Sequence, residues 1–131
     1  MRAVDTNVLV RYVVNDEPRQ SEVVDTFLHE CRANFDRVFV PIPVLVELVW
    51  VLERTYNQSK AEIVTTLEKL LELGLFQFDQ ESAVLHGFAQ YRRGRAGFAD
   101  YLIGELSVQA GCRDTVSFDR ALRGAPGFTI L

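Results

Sequence analysis

Four acidic residues stand in company where an idle charge is out of place. Asp5 interrupts the apolar opening "MRAVDTNVLVRYVV", and Glu47 is the one polar residue of "IPVLVELVWVL". Asp100 lies in "GFADYLIGELSV", and Asp119 follows "TVSF". Burying an unpaired carboxylate is costly. Plainer readings exist: Asp5, Asp100 and Asp119 suit helix caps or first turns, and a long glutamate can reach out at a helix edge. Asp5 alone does not decide between a cap and a catalytic site. For Glu47 the helical neighbours are Pro43, Val44, Trp50 and Val51, none of them basic. A buried or cleft-facing position is therefore expected for it.

If the four acids meet in one cleft, the chemistry is constrained. Two unit charges about 4 Å apart repel by roughly 4 kcal/mol at an effective dielectric of about 20. Such a cluster needs protons or a cation. Oxygen donors without His or Cys select hard ions, Mg2+ or Mn2+. His29 and His86 fall outside the set, as surface or half-buried helix residues. A metal held by carboxylates suits phosphodiester hydrolysis, because metal charge stabilises the leaving oxygen and a carboxylate orients water or takes its proton. No rival nucleophile has a base beside it. Ser117 lacks a G-x-S-x-G elbow, and there is neither a Walker A lysine loop nor a G-x-G-x-x-G. Asp5 as a covalent phosphotransfer nucleophile remains open. Haloacid-dehalogenase-type phosphatases resemble that arrangement but want a second Asp where Asn7 stands.

The elements that must position these residues follow from periodicity. Residues 2–4 read as a short buried strand and 6–14 as a helix. A second helix begins near Pro18, with Val23, Val24, Phe27, Leu28 and Cys31 at helical spacing. "RVFVP" is a strand, and Pro41 and Pro43 open a helix to about Tyr56. Ser59 and Glu62 form a capping-box pattern, with Gly74 as the stop. "LFQF" is a strand, followed by a helix from Asp79 or Gln80 to about Tyr91. "RRGRAG" reads as a basic flexible loop. "FADYLIGELSVQAG" is a helix stopped by Gly111, "TVSF" a strand, "DRAL" a short helix and "GFTIL" a last strand. Strands alternating with helices predict an α/β fold with a parallel sheet covered on both faces. Working residues in such folds lie just past the carboxyl ends of strands, where Asp5 and Asp119 fall.

Composition sets the outer bounds. A length of 131 residues predicts one domain, 1–131. The net charge of −4 argues against a general nucleic-acid coat protein, though a metal-holding nuclease can be acidic. The two cysteines, Cys31 and Cys112, have no metal-ligand spacing and read as buried thiols in a reducing compartment. No stretch is long enough to span a bilayer and no signal peptide is evident, so a cytoplasmic protein is expected.

"VDTNVLVRYV", the lone Glu47, "FADYLIGELSVQAGC" and "TVSFDRAL", in that order, resemble the four signatures of PIN-domain ribonucleases, and the length resembles the VapC-like toxins of toxin–antitoxin modules. The resemblance implies a three-layer α/β/α sandwich around a short central parallel sheet, and an endoribonuclease dependent on Mg2+ or Mn2+. Asp5, Glu47, Asp100 and Asp119 match the family's acidic quartet. Thr6 and Asn7 fall on its first motif and are expected to hold Asp5 and metal waters. Ser117 stands where the family often has Thr and is expected to orient Asp119. A homodimer and inhibition by a small antitoxin follow by the same resemblance, and an acidic cleft predicts that the antitoxin inserts a basic side chain, Arg or Lys, among the carboxylates. The cleft is expected to be rimmed by "IPVLVELVWVL" and "TNVLVRYV". Arg92, Arg93 and Arg95 can grip RNA phosphates or form a solvated loop. Trp50 belongs to the core or an interface more readily than to a base stack. A PIN-like domain that binds but does not cut is the competing reading.

Overall fold

A computed structural model describes residues 1–131, which divide into two compact units, Met1–Asp79 and Gln80–Leu131. In the first, three short runs pair in parallel: β1 (Arg2–Ala3), β2 (Val38–Val40) and β3 (Phe76–Phe78), in the order β1-β2-β3. Arg2 stands opposite Val38, and Val38 opposite Phe76. β-Branched and aromatic side chains suit this half-covered pleat. Val38 and Val40 are buried and Phe39 less so.

β1 departs from the expectation of a buried strand, because both its residues are exposed. It is a two-residue edge with one neighbour, and its apolar contribution comes one step later. There Val4 is buried, and its N–H donates to the Phe39 carbonyl at 3.2 Å.

Helices α1 (Thr6–Val14), α2 (Pro18–Ala33), α3 (Ile42–Arg54) and α4 (Lys60–Glu72) complete this unit. α1 packs against α2 and α3, and α3 against α4. Their apolar stripes form the core, led by Leu9, Leu28, Leu48, Leu52, Ile63 and Leu67. Ser59 and Glu62 make the reciprocal capping box that starts α4.

In the second unit α5 (Glu81–Arg93) lies closely along α6 (Phe98–Gln109). The approach is tight at Gly87, where a Cβ would come 3.3 Å from the Leu102 backbone. β4 (Thr115–Ser117) and β5 (Phe128–Ile130) pair in parallel, as a sheet of their own. A Cβ on Gly104 would sit 2.7 Å from the Phe128 ring, so α6 meets β5 through that glycine. A single 3-10 turn, Arg120–Leu122, lies between the two strands.

Two further expectations are corrected here. Arg92 and Arg93 are not in a loop: α5 runs on to include them, and cations at a helix C-terminus favour that extension. Cys112 is exposed while Cys31 is buried, and both are free thiols. Cys112 lies in the turn after α6, beyond the helix face that packs on α5. No helix is long and apolar enough to cross a membrane.

Candidate active site: carboxylates fixed at helix starts

The chain leaves β1 and turns into α1 at Asp5, whose Oδ1 accepts from the Val8 N–H at 3.2 Å. The next side chain, Thr6, is buried and donates its hydroxyl to Glu47 Oε2 at 2.8 Å. Consecutive Cα atoms are about 3.8 Å apart. The Glu47 carboxylate is thus anchored one residue from Asp5. The packing of α1 on α3 makes this contact possible across 41 positions of sequence.

Glu47 is exposed, not buried. The buried stripe of α3 is Leu45, Leu48, Val49 and Leu52, and Glu47 falls beside it. The apolar run misleads because α3 is apolar on nearly every face yet buries only one. Trp50, on the outer side, is 55% exposed with the Arg54 guanidinium 5.9 Å from its ring, so it is not a core residue. Thr6 and Asn7 do not hydrogen-bond Asp5. The Thr6 hydroxyl is spent on Glu47, and Asn7 lines a concavity of about 420 Å³ beside Asp5. That concavity is walled by α1 and α2, through Val8, Val23 and Val24, rather than by α3.

In the second unit Asp100 is the third residue of α6, half-buried, and its Oδ2 accepts from the Gly97 N–H at 3.0 Å. Asp119 caps the 3-10 turn, its Oδ1 accepting from the Ala121 N–H at 2.9 Å. Its own N–H donates to Ser117 Oγ at 3.0 Å. Asp5 and Asp119 are therefore N-caps and Asp100 is the first-turn acid that reaches back to the Gly97 N–H, as their surroundings allowed. Capping occupies one oxygen of each and holds the carboxylate in place. The other oxygen of each carries no hydrogen bond, and the same is true of Glu47. A cap and a catalytic acid are compatible roles.

The donor set fits a hard divalent cation. Asp5 and Glu47 offer only oxygen, each with one oxygen unengaged, and no nitrogen or sulfur ligand competes. Within neither unit do three His, Cys, Asp or Glu side chains close a ready-made cage. Mg2+ commonly keeps several waters and takes only one or two carboxylates plus substrate phosphate, so an incomplete cage suits it.

The basic residues fall in two places. Arg92 lies 5.7 Å over the Phe88 ring. Arg93 and Arg95 line a second concavity of about 420 Å³, together with Arg123. Arg123 was not singled out from the sequence because it lies far from "RRGR" along the chain. Phe118, next to Asp119, is 81% exposed. Its place between Ser117 and Asp119 was visible, but its exposure was not.

The site is one of carboxylates fixed near helix starts and strand ends, within an α/β chain that offers no rival nucleophile. A family model described as "PIN domain" matches residues 2–127, and the chain belongs to that family. It is 27% identical over 123 residues to a VapC ribonuclease of Aquifex aeolicus (strain VF5), an alignment covering 94% of this chain and 90% of that one.

Proposed function

We propose that the protein is a divalent-metal-dependent endoribonuclease and the toxin of a toxin–antitoxin pair. The observation that carries the reading is the Thr6–Glu47 hydrogen bond, which fixes a second carboxylate beside Asp5. The family match runs from residue 2 to 127, which supports treating the chain as one domain with Asp100 and Asp119 in the same reaction.

Asp5, Glu47, Asp100 and Asp119 would hold Mg2+ or Mn2+ through their unengaged oxygens. When bound, the cation would supply Lewis acidity and positive charge to stabilise the developing negative charge. The carboxylates orient a water toward phosphorus and accept its proton as the new P–O bond forms. The old P–O bond breaks with its electron pair on the leaving ribose oxygen, which takes a proton from solvent. Thr6 and Ser117 keep the carboxylates aimed, Thr6 through Glu47 and Ser117 through the Asp119 backbone.

The name of the Aquifex relative supports RNA as the substrate. The antitoxin would lay apolar residues in the concavity beside Asp5. A basic side chain, best an arginine, would reach the carboxylates. Trp50, exposed on the outer side of α3, supports a homodimer. Two free thiols support a reducing, cytoplasmic setting.

The test is to incubate the purified protein with cellular RNA and sequence the new ends. Ends should appear with Mn2+ or Mg2+ and vanish with EDTA. Cleavage that persists in EDTA would refute the metal role, and binding without any new ends would leave only a silent PIN-like domain.

A further inference from the structure

Charge is unevenly distributed along this acidic chain. Thirteen acids and eight bases precede residue 80, whereas five acids and six arginines follow it. Three of those arginines, Arg93, Arg95 and Arg123, line one concavity of about 420 Å³. None of the three forms an ion pair with the protein. Like charges gathered without acidic partners repel one another, and an anion relieves that repulsion.

The arginine loop is also pinned, unlike a solvated tail. The Tyr101 hydroxyl, on a side chain only 3% exposed, accepts from the Ala96 N–H at 3.2 Å. The hydroxyl fits because residue 94 is glycine: a Cβ there would lie 1.8 Å from it. Arg93 ends α5 and Arg95 follows Gly94, so both flank the pinned point. Arg123 comes from the other wall, immediately after the 3-10 turn that Asp119 begins.

We propose that Arg93, Arg95 and Arg123 form a phosphodiester-binding subsite for RNA flanking the scissile bond. This rests on the ribonuclease reading above and adds to it the place where the substrate backbone is held. Guanidinium groups pair phosphate oxygens bidentately. Arg123 stands four positions after Asp119 and Arg95 five positions before Asp100. The subsite is thus tied through short connections to two of the proposed catalytic acids. Arg92, stacked over Phe88, is outside it. The subsite reads backbone and not bases, so it contributes affinity without sequence preference.

The experiment is steady-state cleavage of a fluorescein-labelled single-stranded RNA by the full chain with Mn2+, across a salt titration. For the variant with Arg93→Ala, Arg95→Ala and Arg123→Ala together, KM should rise about 10-fold or more while kcat stays near wild type. The salt dependence of KM should flatten by about 2 in log–log slope, since each single-strand phosphate contact contributes about 0.7. Lysine at the same three positions should recover much of the salt slope. If the triple variant misfolds by circular dichroism, the single change Arg123→Glu carries the test, with the same rise in KM expected. An unchanged KM and salt slope in a folded variant would overturn the subsite while leaving the ribonuclease intact. A wild type that cuts no RNA would overturn both. Unchanged RNA kinetics with lost binding of a labelled glutamate-rich peptide would reassign the concavity to an acidic protein partner.

Discussion

Thr6 is the residue that anchors the Glu47 carboxylate one position from Asp5. Its hydroxyl is the only tie between the start of α1 and the Glu47 carboxylate. Thr6→Val keeps the shape and removes the donor. Losing a partly exposed hydrogen bond to a charged group costs about 1 kcal/mol of stability. The catalytic cost is larger, since a carboxylate free to rotate is aimed less often. Single-turnover RNA cleavage should fall about 10-fold with RNA affinity unchanged, whereas a merely structural threonine would shift only the melting temperature. The acids themselves were legible, because each is a charge in apolar or cap-like surroundings. Their partners were not. Thr6 follows Asp5 in sequence, so proximity along the chain points to the wrong carboxylate. Glu47 was expected to be buried or cleft-facing because every neighbour in its run is apolar; it is not buried, since α3 covers only its Leu45–Leu48–Leu52 side.

Elements were read well where one local signal decides. The Ser59–Glu62 box starts α4, and Gly74 and Gly111 take the left-handed backbone expected of helix stops, at φ of +74° and +89°. They were read less well where the decision belongs to packing. Gly104 sits inside a helical pattern with no local reason for being glycine; the Phe128 ring supplies it. The end of α5 was placed too early because arginines before a glycine look like a loop, while the helix C-terminus accepts them. The pinned turn between α5 and α6 gives this scale its test. Tyr101→Phe removes the acceptor from the Ala96 N–H and leaves all three arginines charged. KM for RNA should rise about threefold with kcat unchanged, on the order of 0.6 kcal/mol of binding. Faster amide exchange at Ala96 should accompany it. Gly94→Ala should do more harm, because its Cβ must displace a buried ring.

At the scale of the whole molecule, composition excluded more than it identified. Length, acidity and the lack of a spanning helix left a small α/β protein that an acidic metal site would suit. The order of the four acid-bearing motifs narrowed that to one family, and the match over residues 2–127 bears it out. The pairing of strands was harder to foresee: β4 and β5 form a sheet apart from β1-β2-β3, and strands of two or three residues carry too little pattern to choose partners. The central claim is that carboxylates whose caps leave one oxygen unengaged perform metal-dependent RNA cleavage. Asp5→Asn tests it most directly, because asparagine caps a helix as well as aspartate does while the charge is gone. The measurement is single-turnover cleavage of a labelled RNA in Mn2+, with circular dichroism of the same sample. The account predicts an unchanged helix signal and a rate at least about 100-fold lower, on the order of 3 kcal/mol of barrier. A folded Asp5→Asn protein that cuts RNA at the wild-type rate would contradict it.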